Sequence, residues 1–166
     1  MRNFFRKVAF GLKPEQKIPT DPLTWAQKQV ESVPELNWKG KYILSEKEMR
    51  KYWIKQRVEE NTTLRKKFKN DPKGLERAER QLENETGRKF WQNNEICIRH
   101  AEGLRGSSPV LAKLWYFWSN HFTISKTQSL HSFSTGAYQR EFIRANMDKT
   151  FEKMALEATI AWPMIM

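Results

Sequence analysis

Cysteine is nearly absent from the chain: Cys97 is the only one. A lone thiol excludes an internal disulfide framework and a cysteine-based zinc site. Histidine is scarce too, with three in all (His100, His121 and His131), and no H-E-x-x-H metal motif can be assembled from them. Cys97 and His100 form an isolated C-x-x-H that lacks two further ligands, so no metal site is read here. There is no phosphate-cradling glycine loop, no G-x-S-x-G and no recognisable pair of catalytic carboxylates. No stretch approaches the ~18 apolar residues of a membrane span. The opening "MRNFFRKVAFGLKPEQK" breaks its apolar residues into short runs, whereas a secretory leader needs an apolar core of roughly 7–15 residues. The sequence therefore reads as cytoplasmic, with no export signal and no transmembrane segment.

What is present is charge, tryptophan and helix punctuation. The 166 residues suit one ordinary domain, with 39% hydrophobic and 30% charged residues. Seven tryptophans favour a packed core or an aromatic-lined groove. The net charge of +11 raises the question of an anionic partner. The excess spreads from Lys39 to Arg80, but Glu46, Glu48, Glu59, Glu60, Glu76 and Glu79 interrupt it. Mixed signs at helical spacing describe a solvated helix face. Any nucleic-acid binding through it should be weak and non-specific.

Four helix starts are legible. Asp21-Pro22, Asp71-Pro72 and Ser108-Pro109 each place a capping residue before a proline at the first helical position. Ser45 and Glu48 form a capping box. Helical spacing links Met49, Tyr52 and Trp53, and then Leu75, Ala78 and Leu82 toward Phe90, Cys97, Ala101 and Leu104. Gly87 interrupts that segment, and Gly103 and Gly106 are natural stops. Residues 125–136 read as a loop, followed by helices over about 137–147 and 149–160. Only "KYIL" and "FTIS" resemble strands. The expected fold is all-α, an irregular multi-helix bundle with at most a minor short strand pair. It is expected as a single domain over 1–166, with a loosely structured lead-in over 1–44 holding two short helices and a main helical core over 45–166.

The densest aromatic stretch is "LWYFWSNHFTIS", from Leu114 to Ser125. At 100° per residue, Leu111, Leu114, Trp115, Trp118 and Phe122 share one stripe, which predicts a core face. Leu111, Leu114, Trp118, Phe142 and Phe151 are expected in one core. Asn120 faces away, and His121 lies on the flank of the stripe. On the next helix Tyr138, Glu141, Phe142 and Ala145 share a face, while Arg140 and Arg144 share another. A carboxylate among apolar neighbours must pair or shift its pKa upward. His121 and Glu141 are thus expected to pair, directly or through one water, and are the catalytic candidates. Asn120, Arg140 and Arg144 are the binding candidates.

"FWSNHFTIS", "AYQREFIR" and "FEKMALEATIAWPMIM" resemble the bacterial family known as domain of unknown function 1800, whose pattern reads FW-x-NHFT-x-S, Y-x-RE-x-IR and F-x-x-L before a Pro-containing segment. The match falls on Phe117, Trp118, Asn120, His121, Phe122, Thr123 and Ser125, then on Tyr138, Arg140, Glu141, Ile143 and Arg144, then on Phe151, Pro163 and Met164. The chain departs from the family at Ala145-Asn146, Lys149 and Trp162. The resemblance implies a larger protein, of which this chain is the N-terminal portion and whose C-terminal part is a partner. The apolar ending "AWPMIM" agrees with that. The resemblance also implies export for many relatives. It supplies no activity, cofactor or catalytic residue. Three roles follow for testing: part of an enzyme or ligand-binding domain centred on His121 and Glu141, a module binding an anionic polymer through residues 39–80, or a structural and interaction domain.

Overall fold

The computed structural model describes residues 2–13, 15–36, 38, 43–55, 59–85, 88–124 and 129–165. Their regular structure is helical: α1 (Arg2–Val8), α2 (Pro22–Lys28), α3 (Glu46–Lys55), α4 (Asn61–Lys67), α5 (Pro72–Glu85), α6 (Arg88–Arg105), α7 (Pro109–His121), α8 (Ser129–Tyr138), α9 (Phe151–Ile160) and α10 (Trp162–Ile165). The fold is an all-α irregular bundle with no strand among the described residues. Ile43 and Leu44 of "KYIL" and Phe122 to Ile124 of "FTIS" adopt no strand, and the remaining residues of both lie outside the described set. So does Gly87.

The helix starts form as their residues dictate. The Asp21 carboxylate accepts from Leu23 N at 3.0 Å and Thr24 N at 3.2 Å, and from the Thr24 hydroxyl at 2.7 Å. That hydroxyl bond, aided by the backbone ones, holds the Asp21 carboxyl below its ordinary 3.8. Ser45 and Glu48 close the capping box from both sides, at 2.9 and 3.2 Å. Asp71 accepts from Gly74 N at 2.9 Å. At the fourth start the helix begins at Pro109, but Ser108 makes no side-chain cap bond. The Val110 N–H instead donates to Gln29 Oε1 at 3.2 Å, 81 residues away. The position was written locally; the acceptor comes from the far end of α2.

Contacts divide the chain into two compact units. The first comprises Met1–Lys41, Cys97–Thr123 and Tyr138–Met166, and the second Tyr42–Ile96 and Ile124–Ala137. In the second unit Leu44, Met49, Phe133 and Ala137 form a core, with Tyr52, Trp53 and Trp91 packed against it. This core explains why residues 129–136 are helix rather than the expected loop. Serine, threonine and glycine are poor helix formers, but Phe133 and Ala137 are fully covered. Ser134 is buried too, and a Cβ at Gly136 would stand 2.3 Å from Glu95 Cβ. The small residues permit a close approach, and burial outweighs propensity.

In the first unit the core gathers Phe5, Ala9, Leu111, Ala112, Trp115, Tyr138, Ile143, Met154 and Ala158. Lys13 Nζ to Gly106 O at 3.0 Å and Lys113 Nζ to Ala9 O at 2.8 Å tie its first stretch to its second, and Tyr138 Oη to Ala158 O at 3.1 Å fastens the third stretch on itself.

The expected core faces need two corrections. On α7, Leu111 and Trp115 are buried, but so are Ala112 and Ser119, while Leu114 and Phe117 are exposed and Trp118 and Phe122 half-buried. The buried face is rotated by roughly 60° from the aromatic stripe, toward small residues that a count of large apolar side chains overlooks. Phe142 is half-buried and Phe151 is 58% exposed, so neither joins Leu111 as a full core residue. On α6 the covered row is Trp91, Glu95, Ile98 and Glu102, whereas Phe90, Cys97 and Leu104 are exposed. Two carboxylates sit in that row where apolar spacing pointed to a neighbouring one.

Candidate functional site

The polar centre of the first unit is built around Arg144, which is 5% exposed. Its Nη2 donates to Pro34 O at 2.8 Å and to Glu102 Oε1 at 3.2 Å. Its guanidinium carbon lies 5.7 Å from the Trp115 ring centroid. Burial pushes the guanidinium below its ordinary pKa. The charge and hydrogen bond of Glu102 oppose that shift, and the nearby charge of Arg140 adds to it. Glu102 lies in the last turn of α6, where a negative charge meets the negative end of the helix dipole. A cationic partner is therefore needed there, and Arg144 supplies it. Gly106 closes the turn by donating to Glu102 O at 2.9 Å. A Cβ at Gly106 would lie 2.3 Å from that oxygen and 3.0 Å from Glu102 Oε1.

A second set of bonds runs beside the first. Arg99 Nη1 donates to Gln139 Oε1 at 2.7 Å, and Gln139 Nε2 reaches Ser119 O at 3.5 Å. Trp115 Nε1 donates to Gln139 O at 2.8 Å. Two buried atoms of this centre, Ser119 Oγ and Arg144 Nε, have no hydrogen-bond partner among the described residues. The segment Gln139–Ile143 is a π-helical turn, followed by a 3₁₀ turn over Arg144–Asn146. Such wide turns recur at functional sites. This one carries Arg140 and Glu141 and delivers Arg144 into the core.

The sequence-predicted residues distribute as follows. Arg140 Nη1 bonds Glu141 Oε1 at 3.0 Å, with both side chains partly covered. Asn120 is exposed. His121 is also exposed, at the end of α7, and stacks on Phe117 with ring centroids 6.3 Å apart. Trp118 and Phe122 meet its ring edge-on at 5.6 and 5.3 Å. Among the described residues no hydrogen bond or ion pair joins His121 to Glu141. The rotation of α7 toward Ala112 and Ser119 accounts for this, because it carries His121 outward. Arg144, a binding candidate, is buried and bonded to Glu102. Spacing missed Glu102, Gln139, Arg99 and Ser119. The available signal for Glu102 was a carboxylate four residues beyond Ile98 on the row of Glu95, the same argument that singled out Glu141.

Among the described residues no group of three or more His, Cys, Asp or Glu could hold a metal ion, and no helix is long and apolar enough to cross a membrane. The basic region carries its own counter-charges, with Arg50–Glu46 at 3.7 Å, Arg65–Glu79 at 3.7 Å and Arg80–Glu76 at 2.8 Å. No curated protein and no solved structure matches the chain. A family model described as "Protein of unknown function (DUF1800)" matches residues 3–166. The polar centre and the aromatic end of α7 therefore belong to a member of the DUF1800 family.

Proposed function

We propose that this chain forms part of a ligand-binding or enzymatic domain whose working group is the His121 imidazole. The observation that supports the reading is its setting: an exposed ring, flanked by three aromatic side chains, with no hydrogen bond among the described residues. A histidine retained for the core would be buried and hydrogen-bonded. An accessible imidazole of this kind can hydrogen-bond a ligand or ligate through its ring nitrogens. The Arg140–Glu141 pair on the π turn is the second polar element of the proposed site, and Asn120 the third. Arg144 acts from beneath as a positioning residue. The internal ion pairs of residues 46–80 weigh against a phosphate-binding face.

The test is analysis of small molecules and metals that co-purify with the protein, wild type against His121→Ala. A ligand present in the first and depleted in the second, with the helical spectrum unchanged, supports the reading. Equal content in the two proteins, or none in either, counts against it.

A further inference from the structure

The second unit contains a cleft of about 520 Å³ between α4 and α5. Leu64, Ala78 and Leu82 supply its apolar lining, and Glu59, Glu60, Thr63 and Gln81 its polar lining. Ligand sites commonly combine an apolar wall with a few polar groups at this volume. Glu60 Oε2 is shielded from solvent and has no hydrogen-bond partner among the described residues. Neither the Glu59 nor the Glu60 carboxylate makes a hydrogen bond or ion pair among the described residues. That is unexpected in a chain of net charge +11. On α4 and α5, Arg65 pairs with Glu79 and Arg80 with Glu76 instead. A carboxylate oxygen removed from water without a donor is costly, and an incoming cation would relieve that cost.

We propose that this cleft binds an alkylammonium ligand, its charged head between Glu59 and Glu60 and its chain against Leu64, Ala78 and Leu82. Among the described residues no lysine or arginine lines the cleft, which favours a cation over an anion there. A bare metal ion would leave the apolar wall unused, and the described residues offer no group of three ligating side chains. The site lies within the second unit and stands independently of His121.

The probe is n-pentylammonium chloride, titrated into the whole chain and followed by backbone amide shifts. The expected result is saturable shifts confined to Thr63, Leu64, Ala78, Gln81 and Leu82. Glu60→Gln, which keeps shape and removes charge, should weaken binding at least about tenfold. 1-Pentanol and ammonium chloride, each carrying half of the ligand's chemistry, should bind far more weakly. Should Glu60→Gln disturb the helical spectrum, Glu59→Gln gives the same reading. Absence of saturable shifts, equal binding of pentanol, or unchanged affinity in the folded glutamine variants would overturn the proposal.

Discussion

Replacing Glu102 by alanine should be among the most damaging single changes in the first unit. The variant leaves the Arg144 guanidinium buried, with Pro34 O at 2.8 Å as its remaining oxygen partner among the described residues. Arg144 Nε already lacks a hydrogen-bond partner among the described residues. Breaking a buried pair from one side costs about 3–5 kcal/mol, because the surviving charge stays desolvated. A folded chain has only about 5–15 kcal/mol in total. At roughly 2–4 °C per kcal/mol for this size, melting of the helical signal should fall by roughly 6–20 °C. The double variant Glu102→Leu with Arg144→Met removes both charges and should recover most of that loss. A cycle of the two single variants and the double then yields a coupling well above about 1 kcal/mol. If Glu102→Ala melts within a degree or two of the wild type, or if the two changes add, the ion pair does not hold this unit together.

Three further outcomes are expected. Tyr138 is wholly buried, and burial raises its pKa to about 12. The neutral phenol thus favours the folded state, and its stabilisation is complete below the unfolded value near 10 and lost as pH rises from there toward 12; spectroscopic titration should show one of the four tyrosines lagging, and Tyr138→Phe should abolish that late step. Asp21 shows the opposite sign: its carboxyl is depressed, so its cap on α2 is complete above the ordinary 3.8 and fails as pH falls through the lower folded value, seen as faster exchange of the Leu23 and Thr24 amides. Gly136→Ala should destabilise by about 1–3 kcal/mol despite alanine's helix preference, because the new methyl would meet Glu95 Cβ at 2.3 Å; a rise in melting temperature would refute that close approach.

The sequence disclosed where helices begin more fully than what they face. Asp21, Ser45 and Asp71 act within three residues, so their caps are readable from local spacing. The α-helical class follows from the same signals. The buried faces were harder because they are defined by small and polar residues. Ala112, Ser119, Ser134 and Gly136 mark close approaches, and Glu95 and Glu102 occupy a row that apolar counting skips. Of the polar centre, Arg140 and Glu141 were found and are paired with each other. Glu102, Gln139 and Arg99 were not, because their partners lie 40 or more residues away in sequence or in a π turn that no local pattern announces.

The Gln29 acceptor at the start of α7 also bears on the order of folding. That bond spans 81 residues, the Lys113–Ala9 bond 104 and the Arg144–Pro34 bond 110. Contacts of such separation form only after a long loop has closed, which slows folding. During synthesis α1 and α2 emerge before α7, with Phe5 and Trp25 able to pack edge-on at 5.1 Å. Yet α7 and Arg144, which complete their surroundings, are made more than 80 residues later. The apolar faces of α1 and α2 must therefore stay uncovered while the second unit's first stretch is produced, an interval in which they are open to wrong partners.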